Sequence, residues 1–185
     1  MPYINQENRK PFQEVIEKVT SIISQQGDQL RQMEFASFFA YEVVKGFMGT
    51  LVTPHSTFNS LQFEKKQKYD VSLAASEAVR IITRQHTDLL TQSGEIHYVL
   101  AGVCWGALGQ HEQIAEARYG QRAFLRGAMS KICSELDHAG NVRQQLVLRG
   151  VMDDVVDETY RRLTAKYEDE KCQENGDVWP LTVDL

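Results

Sequence analysis

The stretch Ser93–Gly109, SGEIHYVLAGVCWGALG, decides the fold. Its apolar run from Ile96 to Leu108 is 13 residues long. A membrane-spanning helix needs about 20. The run is apolar on every side and bounded by glycines, so it reads as a buried helix, over about Glu95 to Gly109. Working outward from it, the chain keeps helical spacing. Few stretches alternate with period two, and Gly and Pro are sparse. The expected fold is all-α, a bundle of about six helices in one domain spanning residues 1–185.

Upstream, Pro11 suits the first turn of a helix. Phe12, Val15, Ile16, Val19, Ile22 and Ile23 then recur at helical spacing up to Gly27. Asp28 can cap a second helix from about Gln29 to about Leu51, dense in aromatic residues, which Pro54 would stop. Residues 55–60 read as a loop. A third helix is expected from about Leu61 to Thr91, with a break near Asp70 left open, and Gly94 would separate it from the apolar helix. Downstream, an amphipathic helix over about Glu112 to Asp137 meets a turn at Ala139–Gly140–Asn141. A last long helix runs from about Val142 to about Gln173 and stops at Asn175–Gly176. The segments IISQQGDQL (22–30) and LLTQSGEIH (89–97) echo each other. The echo raises a duplicated helix–Gly–helix hairpin against the simpler view that helix ends converge on such a pattern.

The chain of 185 residues is long enough for a sizeable core. Its formal net charge of −5 argues against general nucleic-acid binding, which calls for a basic excess or face. Cys104, Cys133 and Cys172 are far apart and odd in number, so reduced thiols in a cytoplasmic setting are expected. The opening MPYINQENRKPF lacks the apolar segment of a secretory signal.

Several constellations could carry chemistry. Asp153, Asp154, Asp157 and Glu158 form i, i+4 carboxylate pairs that could hold Mg²⁺ in an all-α nucleotide hydrolase. A second acidic pair is missing, and a solvated face neutralised by Arg161, Arg162 and Lys166 is the preferred reading. The histidines show no metal spacing, and His97 reads as a satisfied core or pocket residue. Gly102 and Gly106 leave a smooth helix face, either an oligomer seam or a site of close packing within the chain. Arg118, Arg122 and Arg126 make one stripe at i, i+4, i+8, suited to phosphate, with Tyr119 beside it to stack on a ring. The competing reading pairs these arginines with the acidic last helix. Finally, Asn175–Gly176–Asp177 is turn chemistry, followed by Trp179 as an anchor that could pin the tail over Arg161 and Tyr167.

The residues at the two ends carry a resemblance. MPYI at the start, Gly94-Glu95-x-x-Tyr98, and YRR…YEDxKxxENGDV from Tyr160 to Val178 are similar to a family of small uncharacterised proteins encoded by phages and bacteria. Trp179 stands where that family often has Tyr. The resemblance implies a small phage-type protein acting inside a bacterial cell, and it transfers no catalytic residue.

These observations lead to a non-enzymatic binding protein as the first expectation, with no cofactor and as a homo-oligomer. It would engage a host protein or an anionic, nucleotide-like small molecule, in an anti-defence role. Its candidate contacts are Arg118, Tyr119, Arg122, Arg126, Arg161, Tyr167, Asn175, Asp177 and Trp179. The alternatives are a Mg-dependent nucleotide hydrolase using Asp153, Asp154, Asp157 and Glu158, and a structural or accessory helical protein.

Overall fold

The structure is a computed structural model, and it describes residues 6–27, 29–49, 64–108, 115–136 and 141–175. All secondary structure in these residues is helical. Helices α1 (Gln6–Ser24), α2 (Gln29–Phe47), α3 (Lys65–Gln85), α4 (Leu89–Leu108), α5 (Ala115–Leu136) and α6 (Val142–Thr159) are followed by a single π-helical turn, Tyr160–Thr164, and by α7 (Ala165–Asn175). The all-α bundle read from the sequence is the observed fold.

Helix α4 is the centre. It packs against α1, α2, α3 and α6. Ile96, Val99, Leu100, Val103, Cys104 and Ala107 are all buried. Each buried Val, Leu or Ile side chain among them contributes about 1.5–3 kcal/mol. The neighbours are amphipathic and turn one stripe inward. On α1 the stripe is Phe12, Val15, Val19 and Ile23, all buried. On α2 the aromatic density has the same cause, with Phe35, Phe38, Phe39 and Tyr41 in the core.

Helices α1 and α4 run in the same direction. The ring of Phe12 meets that of Tyr98 edge to face at 6.4 Å. One turn on, Ile16 lies over Gly102, and one turn further Thr20 lies over Gly106. A Cβ added at Gly102 would sit 2.7 Å from Ile16 Cδ1, and one at Gly106 would sit 2.6 Å from Thr20 Oγ1. The smooth glycine face is therefore filled by α1 of the same chain and is not an oligomer seam.

Several boundaries differ from the expected ones, each for a local reason. Helix α1 begins at Gln6, ahead of Pro11, which lies inside it. Helix α2 ends at Phe47 because Gly49 adopts φ +65°, a left-handed conformation that suits glycine. Helix α3 runs unbroken past Asp70 and ends at Gln85, where His86 is extended. Helix α4 then starts at Leu89, because Asp88 accepts the Thr91 amide proton at 2.8 Å and caps the new helix. Gly94 is buried inside α4. The two echoed segments thus differ in structure: Gly27 lies between helices and Gly94 within one, so they do not form matching helix–Gly–helix hairpins. Asn141 is the N-cap of α6, in a reciprocal pair with Gln144 at 3.0 and 3.2 Å.

No helix among the described residues is long and apolar enough to cross a membrane.

Candidate functional site

The π-turn organises the most developed polar cluster. The Ala165 amide donates to the carbonyl of Tyr160, five residues back, so the helix widens by one residue there. Such single-turn π-bulges recur at functional sites. Glu158 lies just before the turn, on the same buried stripe as Val151 and Val155. A carboxylate in that position needs partners, since an unpaired buried charge is costly. It finds two. Arg161 donates from Nε and Nη2 to the two carboxylate oxygens, both at 2.9 Å, in a bidentate fork. Arg162 donates from Nε to Oε1 of the same carboxylate. The Arg161 fork, aided by Arg162 and opposed by burial, holds the Glu158 carboxyl down at about 2.

One carboxylate thus fixes two guanidinium groups. Arg162 also stacks over the ring of Trp105 on α4, 4.4 Å from the ring centroid. A cation over an indole face is the strongest form of this contact. Trp105 is 48% exposed, although its neighbours Val103, Cys104 and Ala107 on the central helix are buried. Buried carboxylate, fixed arginines and half-exposed indole form a rigid platform, cationic and aromatic together.

A second unusual group lies at the start of α4. Glu95 is only 1% exposed, and neither carboxylate oxygen has a hydrogen-bond partner. His86 Nε2 lies 3.4 Å from Oε1, an ion-pair contact. Burial pushes the Glu95 carboxyl up to about 7, partly offset by His86 and reinforced by Asp88. His97 is 8% exposed and its Nε2 lacks a partner, so it is a core histidine without the satisfied ring expected of it. Cys104 is a core residue as expected, its thiol pushed up to about 12 by burial. None of the three cysteines is in a disulfide.

The residues singled out in the sequence are placed as follows. Arg126 lies 3.8 Å from Asp157, both side chains exposed, so this arginine meets the acidic helix as the competing reading held. Arg161 joins the platform. The side chains of Arg118, Tyr119, Arg122, Tyr167 and Asn175, and the whole of Asp177 and Trp179, lie outside the described residues. The acidic set is not brought together. Asp153, Asp154 and Asp157 are exposed, whereas Glu158 is turned inward and committed to Arg161 and Arg162. Among the described residues no three His, Cys, Asp or Glu side chains gather as metal ligands would.

Sequence reasoning missed Trp105 and the true role of Glu158. Glu158 carried a signal. It falls three residues after Val155 and seven after Val151, on the buried stripe of α6, and is followed at i+3 and i+4 by arginines that can neutralise it. Trp105 carried none, because its partner Arg162 comes from a distant part of the chain.

A family model described as a domain of unknown function (DUF6899) matches residues 1–178. No curated protein and no solved structure matches the chain.

Proposed function

Because this chain belongs to the DUF6899 family, from which no activity carries over, we propose from its geometry that it is a binding protein for an anionic, nucleotide-like small molecule. Binding takes place on the platform of Trp105, Arg161 and Arg162. The observation that carries this reading is the fixed Arg162–Trp105 stack. The ring offers a face to a base, and the guanidinium groups offer charge to a phosphate. Pre-positioning of both arginines by Glu158 lowers the ordering cost of binding. The resemblance of its two ends fits action as a phage-type protein within a host cell.

The test is a thermal-shift screen with nucleotides, cyclic nucleotides and dinucleotides, with and without Mg²⁺, followed by chromatography to look for turnover. A stabilising ligand present at 100 times its Kd adds about 2.7 kcal/mol, enough to move the melting temperature by several degrees. Trp105→Ala and Arg162→Ala should each abolish that shift. Absence of any shift, or a shift unaffected by both substitutions, removes the reading. A second reading, a structural or accessory helical protein, is favoured by the ion pair of Arg126 with Asp157, which ties part of the arginine stripe to the fold.

A further inference from the structure

Glu95 and Glu158 are the buried carboxylates among the described residues. Glu158 is held by Arg161 and Arg162, whereas neither oxygen of Glu95 has a hydrogen bond. The contact that reaches Glu95 comes from outside the core. His86, whose side chain is partly exposed, lies in the connector 86–88 between α3 and α4 and brings Nε2 to 3.4 Å from Glu95 Oε1. The connector is extended at His86 and folds back on the start of α4. Gln92 Nε2 donates to the His86 carbonyl at 2.7 Å, and Asp88 accepts the Thr91 amide proton. The charges that act on Glu95 are those of His86 and Asp88, both in this connector. The buried residues of α1, α2 and α3, which pack on α4, include no charged side chain. Of the charged residues on those helices, Arg9 sits over the Tyr98 ring, Glu42 and Lys45 pair with each other, and Arg84 in the last turn of α3 is exposed. On α6, Arg143 in the first turn is exposed as well. His97 is buried two residues further along α4, and positions i and i+2 of a helix do not face each other.

We infer that His86 and Glu95 form a proton-operated latch on the joint between α3 and α4. One proton serves the contact. On Glu95 it leaves a neutral carboxyl in the core, and on His86 it makes an ion pair. With no proton on either, a bare carboxylate lies buried against a neutral ring, an arrangement that costs free energy. The joint relieves that cost by lifting the connector and the first turns of α4, so that water reaches Glu95. Only this short segment has to move, because the groups that hold the connector down, His86, Asp88 and Gln92, all lie in it or in the first turn of α4. The latch is closed in mild acid and loosens as the pH rises. Burial holds the Glu95 carboxyl at about 7 in the closed joint, against 4.5 when water reaches it. Each pH unit between those values favours the open joint by about tenfold, and above them both forms are ionised and the effect levels off.

The experiment is hydrogen exchange followed by NMR on the full chain from pH 5 to pH 8, corrected for the intrinsic exchange rate at each pH. The reporters are the backbone amides at positions 94 and 95, both buried near the start of α4. In the wild type their protection should fall on the order of 100-fold across this range. The fall should come from an opening that low urea does not accelerate, as expected when little surface is exposed. In Glu95→Gln the titrating group is gone, and protection should not change with pH. In His86→Ala the carboxylate has lost its cation, so the fall should continue to a higher pH than in the wild type. Constant protection in the wild type overturns the inference, as does a fall that survives Glu95→Gln. Two further results also overturn it. One is a His86→Ala profile that coincides with the wild type. The other is exchange of both amides by global unfolding alone, accelerated by urea as much as that of the most protected amides.

Discussion

Gly106→Val is expected to destabilise the protein by about 3 kcal/mol, the upper part of the usual range for overpacking a core. The cause is the contact with α1. Even a bare Cβ at position 106 meets Thr20 Oγ1 at 2.6 Å and Thr20 Cγ2 at 2.9 Å. Those atoms sit on a short β-branched side chain that cannot swing aside, so the helices must separate. Gly102 is a milder case, because its nearest neighbour is the flexible end of Ile16. Thr20→Ala should remove much of the clash at 106 at little cost of its own, since the Thr20 hydroxyl is buried without a partner. The check is a double-mutant cycle from urea unfolding midpoints at constant m. A Gly106→Val protein with the wild-type midpoint would mean that α1 does not lie on α4.

The second large effect is on pH dependence, where two buried carboxyls act in opposite senses. Burial raises Glu95 from 4.5 to about 7. Between those values the folded protein keeps a proton that the unfolded chain has released. Raising the pH through this window therefore destabilises the fold, by on the order of 2–3 kcal/mol once pH 7 is passed. Glu158 is lowered from 4.5 to about 2, chiefly by Arg161. Its contribution is fully present above 4.5 and is lost as the pH falls through 2, with a similar order of magnitude. Between them these two groups favour mildly acidic pH, near 4.5–5. Glu95→Gln should stabilise the protein at pH 8 and change little at pH 4.5. Glu158→Gln should destabilise it at pH 7 and matter less and less toward pH 2. Unfolding free energies for the three proteins across pH 2–9 decide the matter. A Glu95→Gln protein no more stable than wild type at pH 8 would show that Glu95 carries no burial penalty.

Much of this architecture could be read from local pattern. The apolar run 96–108 identified the central helix, and the stripe Phe12–Ile23 and the aromatic density of the helix after Gln29 identified its neighbours, because periodicity and composition record which face is buried. The break between α3 and α4 was placed too late because Gly94 was read as punctuation. The stronger signal was Asp88, whose side chain caps α4 at Thr91. Gly94 is instead a buried position inside α4. The candidate site was less legible. Arg161 was singled out for an anionic ligand, yet its first partner is Glu158, and Glu158 was grouped with exposed acids one, four and five residues away. Sequence spacing puts those acids on one helix but does not say which of them turns inward. The meeting of Trp105 with Arg162 depends on how α4 and α6 pack, which no local pattern encodes.

The parallel seating of α1 on α4 also sets a timetable for synthesis. Each contacting pair, Phe12 with Tyr98, Ile16 with Gly102 and Thr20 with Gly106, is separated by 86 positions. At about 5–20 residues per second, a ribosome needs roughly 4–17 s to add that length. Throughout that interval the first helix is made but its seat is not, and Phe12, Val15, Val19 and Ile23 have no central helix to cover them. Helix α1 thus emerges well before its seat on α4 exists. Nascent chains of this protein therefore carry the apolar stripe of α1 without its seat on the central helix until α4 has cleared the ribosome.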